Sequence, residues 1–193
     1  MEVLNDLDTD VKTFFEVLRD KRELLEGSAV SIPYFDESHD RLADRWFDGE
    51  KFEDDVVSAA VFLFLTHAQL YGKMSSKSSF DSTTPTSYYK RVQRLPSLQQ
   101  RLTRDNPDYF RERFAGEVDK VAVLAEKRLR DINEGDEVQI RDDDFEEVLQ
   151  DYDSEDTLAY VDPPYFGTEE HYSDTIEEDD HQRLVNALND FDG

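Results

Sequence analysis

An α/β fold with a partial parallel sheet and a mainly helical insert is the class this sequence predicts, on three observations. Near the start, Glu2-Val3-Leu4-Asn5-Asp6 reads as a strand closing on an acid, followed at once by residues with apolar side chains at helical spacing. Such a strand and helix make half of a strand-helix-strand unit. Near the end, Leu158-Ala159-Tyr160-Val161 reads as a short buried strand, stopped at Asp162 because Pro163 and Pro164 carry no N–H to extend a ladder. Between the two lies text patterned mostly for helices.

In chain order, Asp8 or Thr9 is placed to cap a helix running to about Leu25, with Val11, Phe14, Phe15, Leu18 and Leu25 on its apolar face. Pro33 to Gly49 reads as a loop anchored by Tyr34, Trp46 and Phe47. Val56 to Leu70 is apolar nearly all round, the mark of a buried helix. Ser75 to Ser87, rich in Ser and Thr, reads as a loop. Val118 to Leu129 predicts another helix, ending near Asn133-Glu134-Gly135, and Glu137-Val138-Gln139-Ile140 a short strand. Asp142-Asp143-Asp144 and Phe145 follow it. Past Tyr165, Gly167 permits a tight path. An acidic loop then leads to a helix capped by Glu178 or Asp179, with Leu184, Val185 and Leu188 on one face.

Charge narrows the function. The 193 residues hold 47 acids against 22 bases, a net charge of −25, spread over the chain rather than gathered in a tail. Self-repulsion of that size opposes compaction unless salt screens it, which predicts a halophilic source. Residues 73–130 are the exception, with 13 of the 22 bases and seven of the 47 acids. There Lys73, Lys77, Lys90, Arg91, Arg94, Arg101 and Arg104 alternate with Ser, Thr and the pair Tyr88-Tyr89, residue types that contact phosphate and sugar. A segment facing nucleic-acid phosphates accounts for bases confined to one insert, although a solvated helical face accounts for many of them singly. The absence of cysteine excludes disulfides, thiolate catalysis and zinc-thiolate sites. No metal is predicted, since the His and Asp residues lack ligand spacing. The longest apolar run, Val56 to Leu65, is too short to span a bilayer, and the acidic N-terminus is not a signal peptide, so the expected location is cytoplasmic.

The chemistry concentrates at Asp162-Pro163-Pro164-Tyr165. A double proline stiffens the turn and leaves its carbonyls without local partners. The Asp162 carboxylate and the Pro163 carbonyl are then two acceptors on a rigid frame beside the Tyr165 ring, an arrangement suited to an exocyclic amino group on a planar heterocycle.

This tetrapeptide resembles the DPPY motif of DNA N6-adenine methyltransferases, and the flanking text resembles the Dam-like branch of that family. The resemblance extends through Asn5-Asp6-Leu7, Ala60 to Leu65 and Asp144-Phe145, and so covers most of the chain. It implies a partial Rossmann-like, S-adenosylmethionine-dependent methyltransferase sheet. Residues 1–30 would form the first part of the catalytic domain, 31–132 a mainly helical target-recognition and DNA-binding insert, and 133–193 the second catalytic part. By resemblance, Asp6 holds the ribose of S-adenosylmethionine, Asp144 accepts the cofactor's adenine amino group, and Phe145 packs on its ring, with the register at the acidic turn uncertain by one. Asp162, Pro163, Pro164 and Tyr165 would form the catalytic corner, with Asp162 also near the cofactor. Lys73, Lys77, Tyr88, Lys90, Arg91 and Arg94 would bind double-stranded DNA.

The chain also departs from the family. Thr66-His67 stands where members often carry Asn-Arg, so His67 reads as structural; His171, Tyr172 and His181 are likewise given no catalytic role. None of the seven glycines forms a Gly-x-Gly pair, the signature of the family's cofactor loop. The expectation is the middle of a methyltransferase, truncated at both ends. It admits as partners a separately encoded N-terminal fragment carrying that loop and a cognate restriction endonuclease. Two alternatives stand beside it: an inactive DNA-binding remnant, and a methyltransferase for another amino group, such as cytosine N4 or a glutamine amide.

Overall fold

The computed structural model describes residues 3–49, 52–72, 74–103, 138–163 and 178–193. It is mostly helical, with a two-stranded parallel sheet. Strand β1 (Val3–Asn5) leads to α1 (Thr9–Asp20), α2 (Arg22–Ser31), α3 (Asp36–Phe47) and α4 (Asp55–Ala68). A 3-10 turn at Leu70–Gly72 precedes α5 (Pro85–Val92) and α6 (Leu95–Leu102). After residue 137 come β2 (Gln139–Arg141), α7 (Phe145–Asp151) and α8 (Glu178–Asp190). The helix expected at Val118 to Leu129 lies outside the described residues.

Helix α4 is the hub. Asp54 caps its first turn, accepting from the Val56 and Val57 amides at 2.8 and 3.3 Å. Ala59, Ala60, Val61, Leu63, Phe64, Leu65 and Ala68 are all buried, so the helix presents apolar surface on several sides. Helices α1, α2, α3 and α5 pack against it. The core draws on both ends of this helical array: Phe14, Leu18, Leu25 and Ala29 share one cluster with Phe64, Tyr88 and Leu95. At its centre the Phe64 ring meets Tyr34 and Tyr88 edge-on, centroids 5.6 and 5.7 Å away.

Three elements differ from the sequence reading. The helix expected to run from Asp8 or Thr9 to Leu25 is capped by Asp8 but breaks at Lys21, whose φ of −134° and ψ of 31° leave the helical region. Gln99 of α6 braces the break: its amide donates to the Arg19 carbonyl at 2.8 Å and its oxygen accepts from Arg22 Nε at 2.9 Å. The supposed loop from Pro33 to Gly49 contains α3, which buries Ser38 and His39 alongside Leu42 and Ala43. Its burial pattern is partly polar, and that hid the helix.

The third difference concerns Leu158 to Val161. These residues join no strand ladder; β1 and β2 pair with each other, and neither pairs with this segment. Leu158 and Tyr160 are 89% and 90% exposed. A strand is stabilised by a neighbour on its edge, and none of the described elements supplies one here. The expected strand is therefore replaced by irregular chain.

Two predictions follow from the core. Phe64→Ala removes a fully buried ring and is expected to destabilise the protein by about 3–5 kcal/mol, measured by denaturant unfolding. His67, on α4, donates from Nδ1 to the Leu63 carbonyl at 3.1 Å, and burial lowers its pKa from the usual 6.5. A lowered value in the folded state means that the neutral ring favours folding above pH 6.5 and that this contribution is lost as pH falls through the folded value. His67→Gln should flatten the stability profile in that acid range; an unchanged profile would assign the dependence to other groups.

Candidate active site at the sheet edge

The two strands run parallel with Val3 opposite Gln139, Leu4 opposite Ile140 and Asn5 opposite Arg141. Parallel pairing puts both carboxyl ends on one edge, where open α/β sheets bind ligands. Asp6 thus leaves β1 beside the place where Asp142, Asp143 and Asp144 leave β2. The Asp6 amide continues the ladder, donating to the Arg141 carbonyl at 3.1 Å.

Side chains lock this edge. Asn5 Nδ2 donates to the Asp143 carbonyl at 2.9 Å and Asn5 Oδ1 accepts from the Asp143 amide at 3.0 Å, so an amide 138 positions away imitates a further ladder pair. Lys12 Nζ on α1 donates to Asp142 Oδ1 at 2.8 Å. That hydrogen bond raises the lysine's pKa and lowers the aspartate's, so both stay charged. Arg141 is gripped by Asp151 and Asp143, with the Tyr152 hydroxyl beside them.

Both residues expected at the cofactor's adenine stand at the end of β2. Asp144 caps α7, its Oδ1 accepting from the Glu146 amide at 2.9 Å. Phe145 opens that helix, half-buried. Asp6 uses Oδ1 to accept from the Asp8 amide at 3.0 Å, shaping the turn into α1. Asp6, Asp144 and Phe145 are thereby on one sheet edge. The sequence reading missed Arg183, whose guanidinium bonds Asp144, Glu146 and Asp180 and lies over the Phe145 ring. Its position three residues after Asp180 on one helix was the available signal.

Asp162 is exposed and Pro163 half-buried on the irregular segment that follows Leu158. Pro164 and Tyr165 lie outside the described residues, as do Gly167, His171 and Tyr172. His181 is half-buried on α8.

Among the residues expected at DNA, Lys73 and Arg104 lie outside the described residues. Lys77 is engaged by Asp44 at 2.5 Å and Asp40 at 3.6 Å. Tyr88 is fully buried, and its hydroxyl donates to the Ala29 carbonyl at 2.8 Å; the phenol facing solvent at this corner is that of Tyr89, 37% exposed. Burial also raises the Tyr88 pKa. Lys90, Arg91 and Arg94 are exposed where α5 turns into α6 and form no ion pair among the described residues. Six other described bases do: Lys12, Arg19, Arg22, Lys77, Arg141 and Arg183 each hold a carboxylate.

Among the described residues, no cluster of three or more His, Asp or Glu is placed to hold a metal ion, and no helix is long and apolar enough to cross a membrane.

The edge-locking pair is open to test. Asn5→Ala removes two hydrogen bonds between the strand ends and is expected to cost about 1–3 kcal/mol of stability, with faster amide exchange at Asp143. Unaltered exchange there would show that the ladder alone fixes the register.

Comparison with curated proteins and with solved structures gave no match. The model of one family, described as D12 class N6 adenine-specific DNA methyltransferase, matches residues 2–192. The chain belongs to the D12 class N6 adenine-specific DNA methyltransferase family.

Proposed function

We propose that this chain, or the enzyme of which it is a part, transfers a methyl group from S-adenosylmethionine to the N6 of an adenine flipped out of duplex DNA. The observation that carries the reading is the convergence of Asp6 with Asp144 and Phe145 on one sheet edge, in a chain of this family. The residues present suit the cofactor's nucleoside end. A carboxylate following β1 is placed for ribose hydroxyls, and a carboxylate beside an aromatic ring following β2 is placed for an amino-bearing purine. The cofactor, when bound, supplies an electrophilic methyl on a sulfonium.

The protein's part is positioning and electrostatic stabilisation. The amino nitrogen of adenine is a weak nucleophile because its lone pair is delocalised into the ring. Asp162 and the Pro163 carbonyl accept its two hydrogens, favour tetrahedral geometry and so direct the lone pair outward. Tyr165 stacks on the extruded base. No covalent enzyme intermediate is needed, in keeping with a chain that has no cysteine.

DNA is held at the corner between α5 and α6. Lys90, Arg91 and Arg94 have no carboxylate partner among the described residues, in a chain with 25 excess negative charges, and Tyr89 adds an exposed phenol beside them. These contacts go to phosphate and give affinity rather than sequence discrimination. The exposure of Leu158 and Tyr160, off the sheet, favours a second reading, in which the polypeptide retains DNA binding without methyl transfer.

Two experiments separate these readings. Asp162→Ala should abolish transfer of labelled methyl to DNA while leaving duplex binding intact. Unchanged transfer would remove its role, whereas DNA binding with no transfer by the unaltered chain would favour the second reading. Replacing Lys90, Arg91 and Arg94 together by Gln should weaken binding evenly across sequences and reduce the slope of log affinity against log salt by about 2.7, if each base neutralises one phosphate.

A further inference from the structure

Arg183 projects from α8 onto the end of β2 and makes two kinds of contact there at once. Its Nη2 lies 3.0 and 3.1 Å from the two carboxylate oxygens of Asp144 and 2.9 Å from Glu146 Oε2. Its Nη1 lies 2.7 Å from Asp180 Oδ1, and its guanidinium carbon is 5.0 Å from the centroid of Phe145. A guanidinium is flat, delocalised and rich in N–H donors. Lying over a ring while donating to a carboxylate is also what an aminopurine does. Glu146, Asp180 and Asp144 together hold Arg183 firmly cationic.

We propose that Arg183 is a built-in competitor of the cofactor's adenine: it covers Phe145 and occupies Asp144 until a purine displaces it, so that α8 is latched to α7 only in the cofactor-free chain. The inference rests on the assignment of Asp144 and Phe145 to the purine.

Displacement leaves Arg183 with partners. Asp180 is on its own helix, three residues earlier, and Glu146 is a separate acceptor, so the guanidinium gives up the ring and one carboxylate while keeping two others. The exchange therefore strands no cation, and Asp144 passes from one donor to another. It selects for a ligand that offers both a planar face and an N–H donor; a ligand offering one of the two replaces only half of what Arg183 gives up. The latch also joins cofactor binding to the helix that follows the Asp162 corner in sequence. Arg183 is 40% exposed, which leaves it room to swing outward.

The test is calorimetric titration of the full chain with S-adenosylhomocysteine, with amide hydrogen exchange of α8 as a second readout. Arg183→Gln should bind roughly fivefold more tightly than the unaltered chain, the factor expected from removing one exposed ion pair. Arg183→Lys, which keeps a charge near Asp144 but lays no planar group on Phe145, should fall between the two. Exchange in α8 should quicken when S-adenosylhomocysteine is added to the unaltered chain, and should already be fast in Arg183→Gln. Equal or weaker binding by Arg183→Gln, or α8 exchange indifferent to the ligand, overturns the latch. Asp144→Asn separates the two layers. If it weakens binding while Arg183→Gln does not strengthen it, the purine assignment stands and the latch falls; if it binds like the unaltered chain, both fall.

Discussion

Three paired residues on each of two short strands hold the candidate site together. Val3 to Asn5 and Gln139 to Arg141 lie far apart in the chain, and only their register decides which acids share the sheet edge. A slip of one residue would turn every side chain of β1 to the other face. A three-residue ladder is a weak guard against that, and the chain adds others. Asn5 exchanges both hydrogen bonds with the backbone of residue 143, Lys12 holds Asp142, and Arg19 donates to the Val138 carbonyl at 3.0 Å. The last of these anchors the entry of β2 to α1, and α1 is in turn anchored to α4. The apolar core thus reaches the site through a short series of named contacts.

Much of this was legible in the sequence, and the reasons for what was not are physical. The buried helix from Val56 onward could be read because its apolar residues leave no solvated face. The acid after β1 could be read because a strand ending in a carboxylate is a local pattern, whereas Asp144-Phe145 after β2 was singled out through the family resemblance. The break at Lys21 could not, since the contact that braces it comes from Gln99, far along the chain. Helix α3 was hidden because it buries a serine and a histidine, which composition assigns to loops. The choice between Tyr88 and Tyr89 is a matter of helix phase, and adjacent tyrosines give no hint of which one turns inward.

The segment from Leu158 to Val161 marks the limit of local pattern. Its residues have strand propensity, yet propensity is realised only when a neighbouring strand takes up the backbone groups. Here the apolar side chains of Leu158 and Tyr160 stand in solvent. The proline pair after Asp162 still limits the backbone by covalent geometry alone. The chemistry assigned to that corner thus rests on a stiffness that survives without the sheet, whereas its placement relative to Asp6 and Asp144 requires one.

The exposed cations where α5 meets α6, which hold no carboxylate among the described residues, have a consequence for how the molecule meets a polyanion. Outside residues 73–130 the chain carries 40 of its 47 acids and nine of its 22 bases, a composition that pushes such a partner away. A charge contrast of this kind exerts a torque before contact, and a long negatively charged rod would meet the basic segment 73–130, to which the α5–α6 corner belongs, before the acidic remainder. Excess acidity, which in isolation opposes association with nucleic acid, then works as an alignment device whose range shortens as ionic strength rises.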